Sequence, residues 1–515
     1  MSVTTEKHTE FEINNISAAR ANQNKEENEK TLSSTQDIKS LKEGPGPASI
    51  VIHDKPESLD VATAVKKRPW WKFWKKRSSL DELPDPRQFS LAKKYSILLI
   101  IALAGASSPI SSSVYLPALT YVQKDFQTSD TAVNASVSLF IFMSAIFPLP
   151  WASWSDVYGR KNIYLISFAI SIVGNICCAV SVNIAMLIVF RGVSAVGTCS
   201  VMSMGAGTLA DVFDSHERGR AYSWYVLGPI VGPAIGPIVG GYLTEGFGWR
   251  ATFAFVAAFT ACNWLSIFFF LPETFRPQKE PEKKQKSRIS NPLQALSLLR
   301  FINVFIAVWF LGIMFGVYYL VNTTFAWTFA NQYHLDSGTT GLCYLPLAFG
   351  GMLGGNLGGR ISDYVYSRNL RKKGPNAEPV PEMRLSVPVL SGACLLNLGA
   401  LSAYGWSIQE NLHYAAPICF CFLEAFCIML PHVTLTAYLV DCHKTRSASV
   451  TACNNLLRYL LAGVGSLLSS DLMRALGTGP LFTGCGVIIL IFGAPMIFVK
   501  KNPQMWKAAR ERANT

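Results

Sequence analysis

The stretch from Gly228 to Gly241 reads GPIVGPAIGPIVGG and lies inside an apolar run, 222–244, that is long enough to cross a bilayer. Prolines repeated every four residues would break a helix in water, because each one removes a backbone donor and clashes with the preceding turn. In a membrane such a helix can persist, since neighbouring helices satisfy the freed carbonyls. The glycines share one face, where another helix can approach closely. The stretch therefore predicts a membrane-spanning helix that serves either packing alone or a functional bend.

The composition of the 515-residue chain agrees with a membrane protein, because half of its residues are hydrophobic and only 15% are charged. The net charge of +13 is compatible with anionic lipid or with nucleic acid. The sequence contains no phosphate-binding GxxxxGK[ST] motif and no paired CxxC metal pattern. We therefore expect no metal site, no cofactor and no ATP hydrolysis by this chain.

Twelve apolar runs follow one another after residue 90, each close to the ~20 residues that a spanning helix needs. Most basic loop residues fall on the side of the membrane that carries the N-terminal tail, and the opposite loops contain Lys124, Arg250 and Arg474. This asymmetry predicts that both termini are cytoplasmic. The runs are approximately 95–118, 132–152, 162–182, 185–210, 222–244, 250–271, 302–329, 339–359, 386–406, 414–440, 448–471 and 480–499.

The polar segments divide the chain. The first ninety residues lack apolar periodicity and predict a disordered tail. The tail ends in KKRPWWKFWKKR, 66–77, whose position before a membrane span favours binding to anionic lipid headgroups over nucleic acid. The predicted order is a cytoplasmic tail, a six-helix bundle, a cytoplasmic linker, a second six-helix bundle and a cytoplasmic tail, at 1–90, 91–271, 272–300, 301–500 and 501–515.

An internal repeat supports two related halves. The sequence ASWSDVYGRK at 152–161 follows the second apolar run, and GRISDYVYSR at 359–368 follows the eighth. Asp156 and Asp363 hold the same place in the two copies, and Asp211 and Asp441 form a weaker second correspondence. Two copies of one six-helix unit are typical of transporters built from pseudosymmetric halves.

These sequences resemble the major facilitator superfamily, and within it the fungal 12-spanner drug:proton antiporters, over about 90–500. The resemblance is carried by GPxxGG at 236–241, RGVSAVGTCS from Arg191, TGLCYLP at 340–346 and ACNNLLRYLLAG at 452–463. It implies an all-α membrane protein with 12 transmembrane helices in two pseudosymmetric bundles. It also implies a small-molecule substrate, alternating access, and a proton gradient in place of a cofactor. We expect a monomer without enzymatic activity.

The resemblance also implies roles for particular residues. Arg191 is expected to take part in proton transfer. The antiporter motif, which would limit leak and bend the fifth span, comprises Gly232, Pro233, Gly236, Pro237, Gly240 and Gly241. A conformational latch pairing the cytoplasmic ends of the two halves is expected to comprise Asp156, Gly159, Arg160, Lys161 and Asp363.

Charged side chains inside the apolar runs are costly, at about 2.5–3.5 kcal/mol each at mid-bilayer, so each needs a partner or a purpose. Arg191, Glu424 and Arg458 are the candidates, and Glu424 is the acidic residue well inside a span. Glu424 could bind a proton or a cationic substrate, and we predict proton coupling through Glu424 and Arg191. The alternative is a structural ion pair between Glu424 and Arg458.

A substrate cavity is predicted near the aromatic seventh span. Aromatic rings there could stack flat or cationic substrates, although packing or lipid contact explains most of them. His432 follows a proline and could titrate near neutral pH or simply pack. The candidate cavity residues are Tyr318, Tyr319, Asn322, His432, Asn454 and Arg458.

The sequence therefore predicts a proton-coupled antiporter that exports small amphipathic or cationic organic compounds by alternating access. The alternative is a dedicated exporter of a metabolite such as polyamines, amino acids or the spore-wall precursor dityrosine. The expected location is the plasma membrane, with the vacuolar and prospore membranes as alternatives.

Overall fold

The computed structural model of the chain describes residues 86–275, 292–374, 380–443 and 447–506, and no strand occurs in these ranges. The predicted all-α fold is confirmed. Its α-helices are α1 (Leu91–Ser113), α2 (Leu119–Phe126), α3 (Asp130–Ile146), α4 (Pro148–Tyr158), α5 (Arg160–Ala179), α6 (Ile184–Thr198), α7 (Ser200–Val212), α8 (Ser215–Phe247), α9 (Arg250–Phe270), α10 (Ile302–Asn331), α11 (Ser337–Cys343), α12 (Leu345–Lys373), α13 (Val387–Gln409), α14 (Ala415–Cys442), α15 (Ser447–Leu476), α16 (Thr478–Gly493) and α17 (Pro495–Lys501).

Ten helical stretches within the described ranges are long and apolar enough to cross a membrane, and an eleventh is the pair α3 and α4, which is bent by 41°. The remaining predicted span, 339–359, falls mainly in α12. That helix has 29 residues, a length of about 44 Å at 1.5 Å per residue. Its glycines and its basic last turn, Arg371 to Lys373, make it less apolar than the others.

The helix α8 continues through all three of its prolines, as the apolar setting of the stretch predicted. Its glycines at positions 228, 232, 236 and 240 all face α1. A Cβ added at Gly228 would lie 2.0 Å from the carbonyl oxygen of Ala102, and one at Gly240 would lie 1.8 Å from that of Val114. We call this contact the first glycine seam, because only glycine lets the two backbones approach so closely.

A second glycine seam joins α12 to α14. An added Cβ would lie 2.2 Å from the Phe422 carbonyl oxygen at Gly350, and 2.3 Å from that of Phe426 at Gly354. Gly358 continues the row at the same four-residue spacing. The sequence pattern at 228–241 predicts only the first seam, yet each half of the chain uses the same kind of glycine packing.

The two halves, α1–α9 and α10–α17, meet mainly along two pairs of helices, α3 with α15 and α8 with α11. We call the end of the bundle where α9 ends and α10 begins the linker end, and the opposite end, with the turns at Gln127 and Gly248, the far end. The predicted N-terminal tail up to residue 85, including 66–77, lies outside the described residues. So do 276–291 of the linker and 507–515 of the C-terminal tail.

Candidate functional site

Arg191 is fully buried in α6 among aromatic rings. Its guanidinium carbon lies 4.8 Å from the ring centre of Tyr115, 4.5 Å from that of Phe140 and 5.6 Å from that of Phe253. Its Nη1 donates a hydrogen bond of 2.9 Å to the carbonyl oxygen of Ser111, while Nε and Nη2 have no hydrogen-bond partner among the described residues. Cation–π contacts and one carbonyl therefore hold this charge.

Glu424 is fully buried in α14, and neither carboxyl oxygen has a hydrogen-bond partner among the described residues. The carboxyl group lies close enough to the side chains of Tyr318, Tyr404 and Cys421 to interact with them electrostatically. A buried carboxylate without a partner is costly, so this group needs a proton or a cation. Within the described ranges, Glu424 forms no ion pair with Arg458, and the structural alternative is not the arrangement seen here.

Arg458 instead contacts His432, with 2.7 Å between Nη1 and Nε2. An arginine keeps its protons and can only donate, so Nε2 of His432 accepts and the imidazole carries its hydrogen on Nδ1. The guanidinium also lies 4.3 Å from the ring centre of Phe315 and 4.8 Å from that of Tyr459. Arg458 and His432 are both only partly buried.

Tyr318 and Tyr319 surround the same phenylalanine, with ring centres 5.7 and 5.4 Å from that of Phe315. The Tyr319 hydroxyl lies beside the Ser112 hydroxyl of α1, so these aromatic residues sit where the two halves meet. Both tyrosines and Ser112 are partly exposed. We define the central cluster as Phe315, Tyr318, Tyr319, His432, Arg458 and Tyr459.

The two predicted asparagines are more enclosed than the central cluster. Asn322 is 8% exposed, and its amide donates to the carbonyl oxygen of Tyr318 over 2.7 Å. Asn454 is 2% exposed, and its side-chain oxygen has no hydrogen-bond partner among the described residues. The structure thus brings four of the six predicted cavity residues around Phe315 and places two in the surrounding packing.

Four of the five predicted latch residues, all except Asp363, lie in the first half, and their charged contacts stay within that half. Arg160 lies 3.3 Å from Asp156 and 3.0 Å from Asp211, both in the same half. We call an arginine shared by two aspartates in this way an aspartate clasp. The expected pairing of Asp156 across the two halves is not the contact this structure shows, because Asp156 instead pairs with Arg160, four residues further along the chain.

Glu273 holds that turn from the end of the sixth span. Its carboxylate accepts hydrogen bonds from the backbone N–H of Arg160 at 2.9 Å and of Lys161 at 3.2 Å. Burial raises the pKa of Glu273, and these backbone donors oppose the shift. Gly159 has φ of +91°, and a Cβ there would lie 2.5 Å from the carboxylate. The Lys161 ammonium donates to the carbonyl oxygen of Phe268 over 2.9 Å.

The second half has its own aspartate clasp. Arg384 contacts Asp363 at 2.7 Å and also pairs with Asp441. The sequence repeat matched Arg368, and Arg384 was missed. Its position was the available signal, because Arg384 stands immediately before the apolar run 386–406, as Arg160 stands before 162–182.

Contacts between the halves close the far end. Asp130 at the start of α3 pairs with Arg474 of α15. One turn further in, Asn134 donates to the Ser470 hydroxyl over 2.7 Å and accepts from the Trp327 indole over 2.9 Å. These hydrogen bonds are buried, so they join α3, α10 and α15 in a position that water does not reach.

The predicted antiporter motif faces two neighbours. Gly232, Gly236 and Gly240 belong to the first glycine seam, and Pro233 is exposed. Pro237 and Gly241 face α11 of the other half, where Ser337 donates to the Gly241 carbonyl oxygen over 3.1 Å. A Cβ at Gly341 would lie 2.3 Å from the Pro237 carbonyl oxygen. One helix therefore packs within its own half and against the opposite half.

Known proteins share this arrangement of helices. The sequence profile of the Major Facilitator Superfamily matches residues 101–466. The chain belongs to this superfamily. This major facilitator protein is similar to the Multidrug transporter DTR1 of Candida glabrata, at 31% identity over 80% of this chain and 84% of the relative. It is also similar to Dityrosine transporter 1 of Saccharomyces cerevisiae, at 28% identity over 85% and 86% of the two chains.

A solved structure agrees on the fold. The crystal structure of a bacterial homologue of the human lysosomal transporter Spinster, inward-facing and occupied, superposes with a TM-score of 0.62. The two chains are 16% identical, and the match covers 81% of this chain and 98% of that one. At this identity the likeness shows the fold. The family match and the relatives, both named as transporters, identify the chain as a multi-pass membrane transporter and not an enzyme.

Proposed function

We propose that this major facilitator transporter exports small amphipathic organic compounds in exchange for protons. The observation that carries the proposal is Glu424, a carboxyl group buried in α14 without a hydrogen-bond partner among the described residues. Such a group is costly when charged and unpaired, so binding and release of a proton would change the energy of the surrounding helices. Tyr318 connects it with the central cluster, where substrate would bind.

Alternating access is supported by the way the halves meet. Contacts such as Asp130 with Arg474 and Asn134 with Ser470 join them at the far end. At the linker end, each half satisfies its own charges in an aspartate clasp. We propose that the linker end faces the cytoplasm at the plasma membrane, consistent with the basic residues in its loops, and that substrate enters from that side.

A dedicated metabolite exporter is the second candidate. It is favoured by the partly exposed Arg458, a fixed charge that would select among substrates, and by the similarity to Dityrosine transporter 1. Both candidates use the same site and the same exchange with protons. They differ in how many compounds compete for the site.

The test is gradient-driven flux of an amphipathic fluorescent dye in sealed vesicles containing the native chain, Glu424→Gln or Glu410→Gln. Glu410 is the matched control, because it is an exposed acid at the far end of α13. We expect the native chain and Glu410→Gln to respond equally to the pH gradient. Glu424→Gln should lose at least about tenfold of the gradient-driven rate, equivalent to about 1.4 kcal/mol.

Two results would contradict the proposal. One is flux by the native chain that is the same with and without the pH gradient. The other is normal gradient-driven flux by Glu424→Gln at equal protein in the membrane, which would make this carboxyl a packing residue and move proton coupling elsewhere.

A further inference from the structure

The charge that the central cluster presents is positive. Glu424 is fully buried, whereas Arg458 is partly exposed and shares its surroundings with partly exposed tyrosines. The sequence predicts that Glu424 binds a proton or a cationic substrate, and it favours amphipathic or cationic compounds. In the structure the Glu424 carboxyl is enclosed where α14 packs against its neighbours. Arg458 is therefore the charged side chain that an entering molecule would contact.

The Arg458 guanidinium has unused donor capacity. A guanidinium has five N–H donors on three nitrogens. In Arg458, Nη1 donates to His432, and Nε has no hydrogen-bond partner in the described ranges. The ion pairs described for the chain do not include Arg458. The ring centres of Phe315 and Tyr459 lie 4.3 and 4.8 Å from its guanidinium carbon, within cation–π range.

His432 prepares the guanidinium for a ligand. Because its Nε2 accepts from Nη1, it withdraws one donor direction and leaves the others for an incoming acceptor. An arginine fork matches a carboxylate through two parallel N–H···O bonds, which gives both energy and orientation. The tyrosines at 318 and 319 provide flat apolar surface beside this fork.

We propose that Arg458 binds the carboxylate of an aromatic organic acid, whose ring packs on the central cluster. This inference rests on the proposed export function and names its substrate class. A cationic compound of the same shape is disfavoured there, because like charges at close range repel strongly in a site of low dielectric. Arg191 adds positive charge in the first half, held by rings and a carbonyl.

The test compares two dyes with the same xanthene ring and opposite charge, fluorescein, an anionic carboxylate, and rhodamine 123, a cationic ester. Binding to the purified full-length chain is measured by fluorescence anisotropy at neutral pH. The variants are Arg458→Gln, which removes the charge, and Arg458→Lys, which keeps it without the fork. Lys124→Gln is the control for removing a cation at the far end, outside the cluster.

We expect the native chain to bind fluorescein more tightly than rhodamine 123. Arg458→Gln should weaken fluorescein binding at least about tenfold, equivalent to about 1.4 kcal/mol, and Arg458→Lys should weaken it less. Rhodamine 123 binding should be unchanged or tighter in Arg458→Gln, which also shows that this variant is folded. Lys124→Gln should match the native chain with both dyes.

The inference is overturned if the native chain prefers rhodamine 123, fails to bind fluorescein, or binds it equally well as Arg458→Gln. Equal loss of binding of both dyes in Arg458→Gln and Arg458→Lys would also overturn it, since Arg458 would then stabilise helix packing instead of binding the carboxylate. Vesicle flux separates the two proposals. Arg458-dependent fluorescein binding without gradient-driven flux refutes proton exchange alone, and gradient-driven rhodamine 123 flux without fluorescein binding refutes the carboxylate site alone.

Discussion

The two halves of the molecule agree in how they pack and differ in how they hold charge. Each half has a glycine seam, α8 on α1 and α12 on α14, and each has an aspartate clasp around Arg160 or Arg384. The first half encloses one arginine, Arg191, in three rings. The second half has a buried acid, Glu424, that has no partner among the described residues, and a partly exposed arginine, Arg458.

This difference separates structural features from chemical ones. Features that occur in both halves hold helices or their ends in place, because a duplicated fold needs the same packing twice. The intramembrane charges break the symmetry, and each costs energy that packing alone would not require. We therefore propose that the charges carry the chemistry of transport and that the seams and clasps hold the bundle together.

The largest effect is expected from Arg191→Met. Methionine fills the space among Tyr115, Phe140 and Phe253 without a buried charge, and replacing a buried charge by an apolar side chain is often neutral or stabilising. We expect an unchanged or higher melting temperature and a loss of gradient-driven dye flux of about a hundredfold. Arg191→Lys should retain part of the flux. Flux within about twofold of native for Arg191→Met would make the caged arginine structural.

A smaller effect, equal in the two halves, is expected from the glycine seams. Gly240→Ala and Gly354→Ala place a Cβ against a backbone carbonyl and should each lower the free energy of unfolding by about 1–3 kcal/mol. Gly246→Ala and Gly359→Ala are controls in the same helices, where an added Cβ meets nothing or only ordinary contacts. Thermal unfolding in detergent measures the difference. Tolerance of Gly354→Ala together with loss in Gly240→Ala would break the equivalence of the halves.

The smallest effect is expected from the aspartate clasps, which lie near water at the linker end. Arg160→Gln and Arg384→Gln should each cost ~1 kcal/mol of unfolding free energy, less at high salt. A second change, Asp211→Asn or Asp441→Asn respectively, should recover part of the loss by removing an unpaired carboxylate. Melting temperatures at low and high salt provide the measurement. A loss of stability confined to one half, or one that grows with salt concentration, would contradict the idea that both clasps stabilise their halves in the same way.

Much of the fold followed from local patterns. Apolar runs of sufficient length predict spanning helices wherever they occur, because the bilayer leaves backbone groups no other partner. The four-residue glycine spacing predicted a close helix contact for α8, and the structure shows α1 as the partner. The equivalent row in α12 was visible in the sequence but lay in a less apolar run, where it was not singled out.

The candidate site could be predicted from the sequence only in part. The types of residue that carry charge inside the membrane were evident, since such residues are rare and costly. Their partners were not, because they come from helices far apart in the chain. Arg458 was weighed as a partner for Glu424, yet it contacts His432, and the arginine of the second clasp is Arg384 instead of Arg368.

The sequence by itself determined that this chain is a helical membrane protein of two related halves, because hydrophobic length and internal repetition are properties of consecutive residues. Only the tertiary structure decided which charges face one another, which are enclosed and which remain accessible. Helix packing brings together side chains more than a hundred residues apart, such as Asn134 and Ser470. Whether a buried charge is paired depends on that packing, so the pairing cannot be predicted from the neighbouring residues in the sequence.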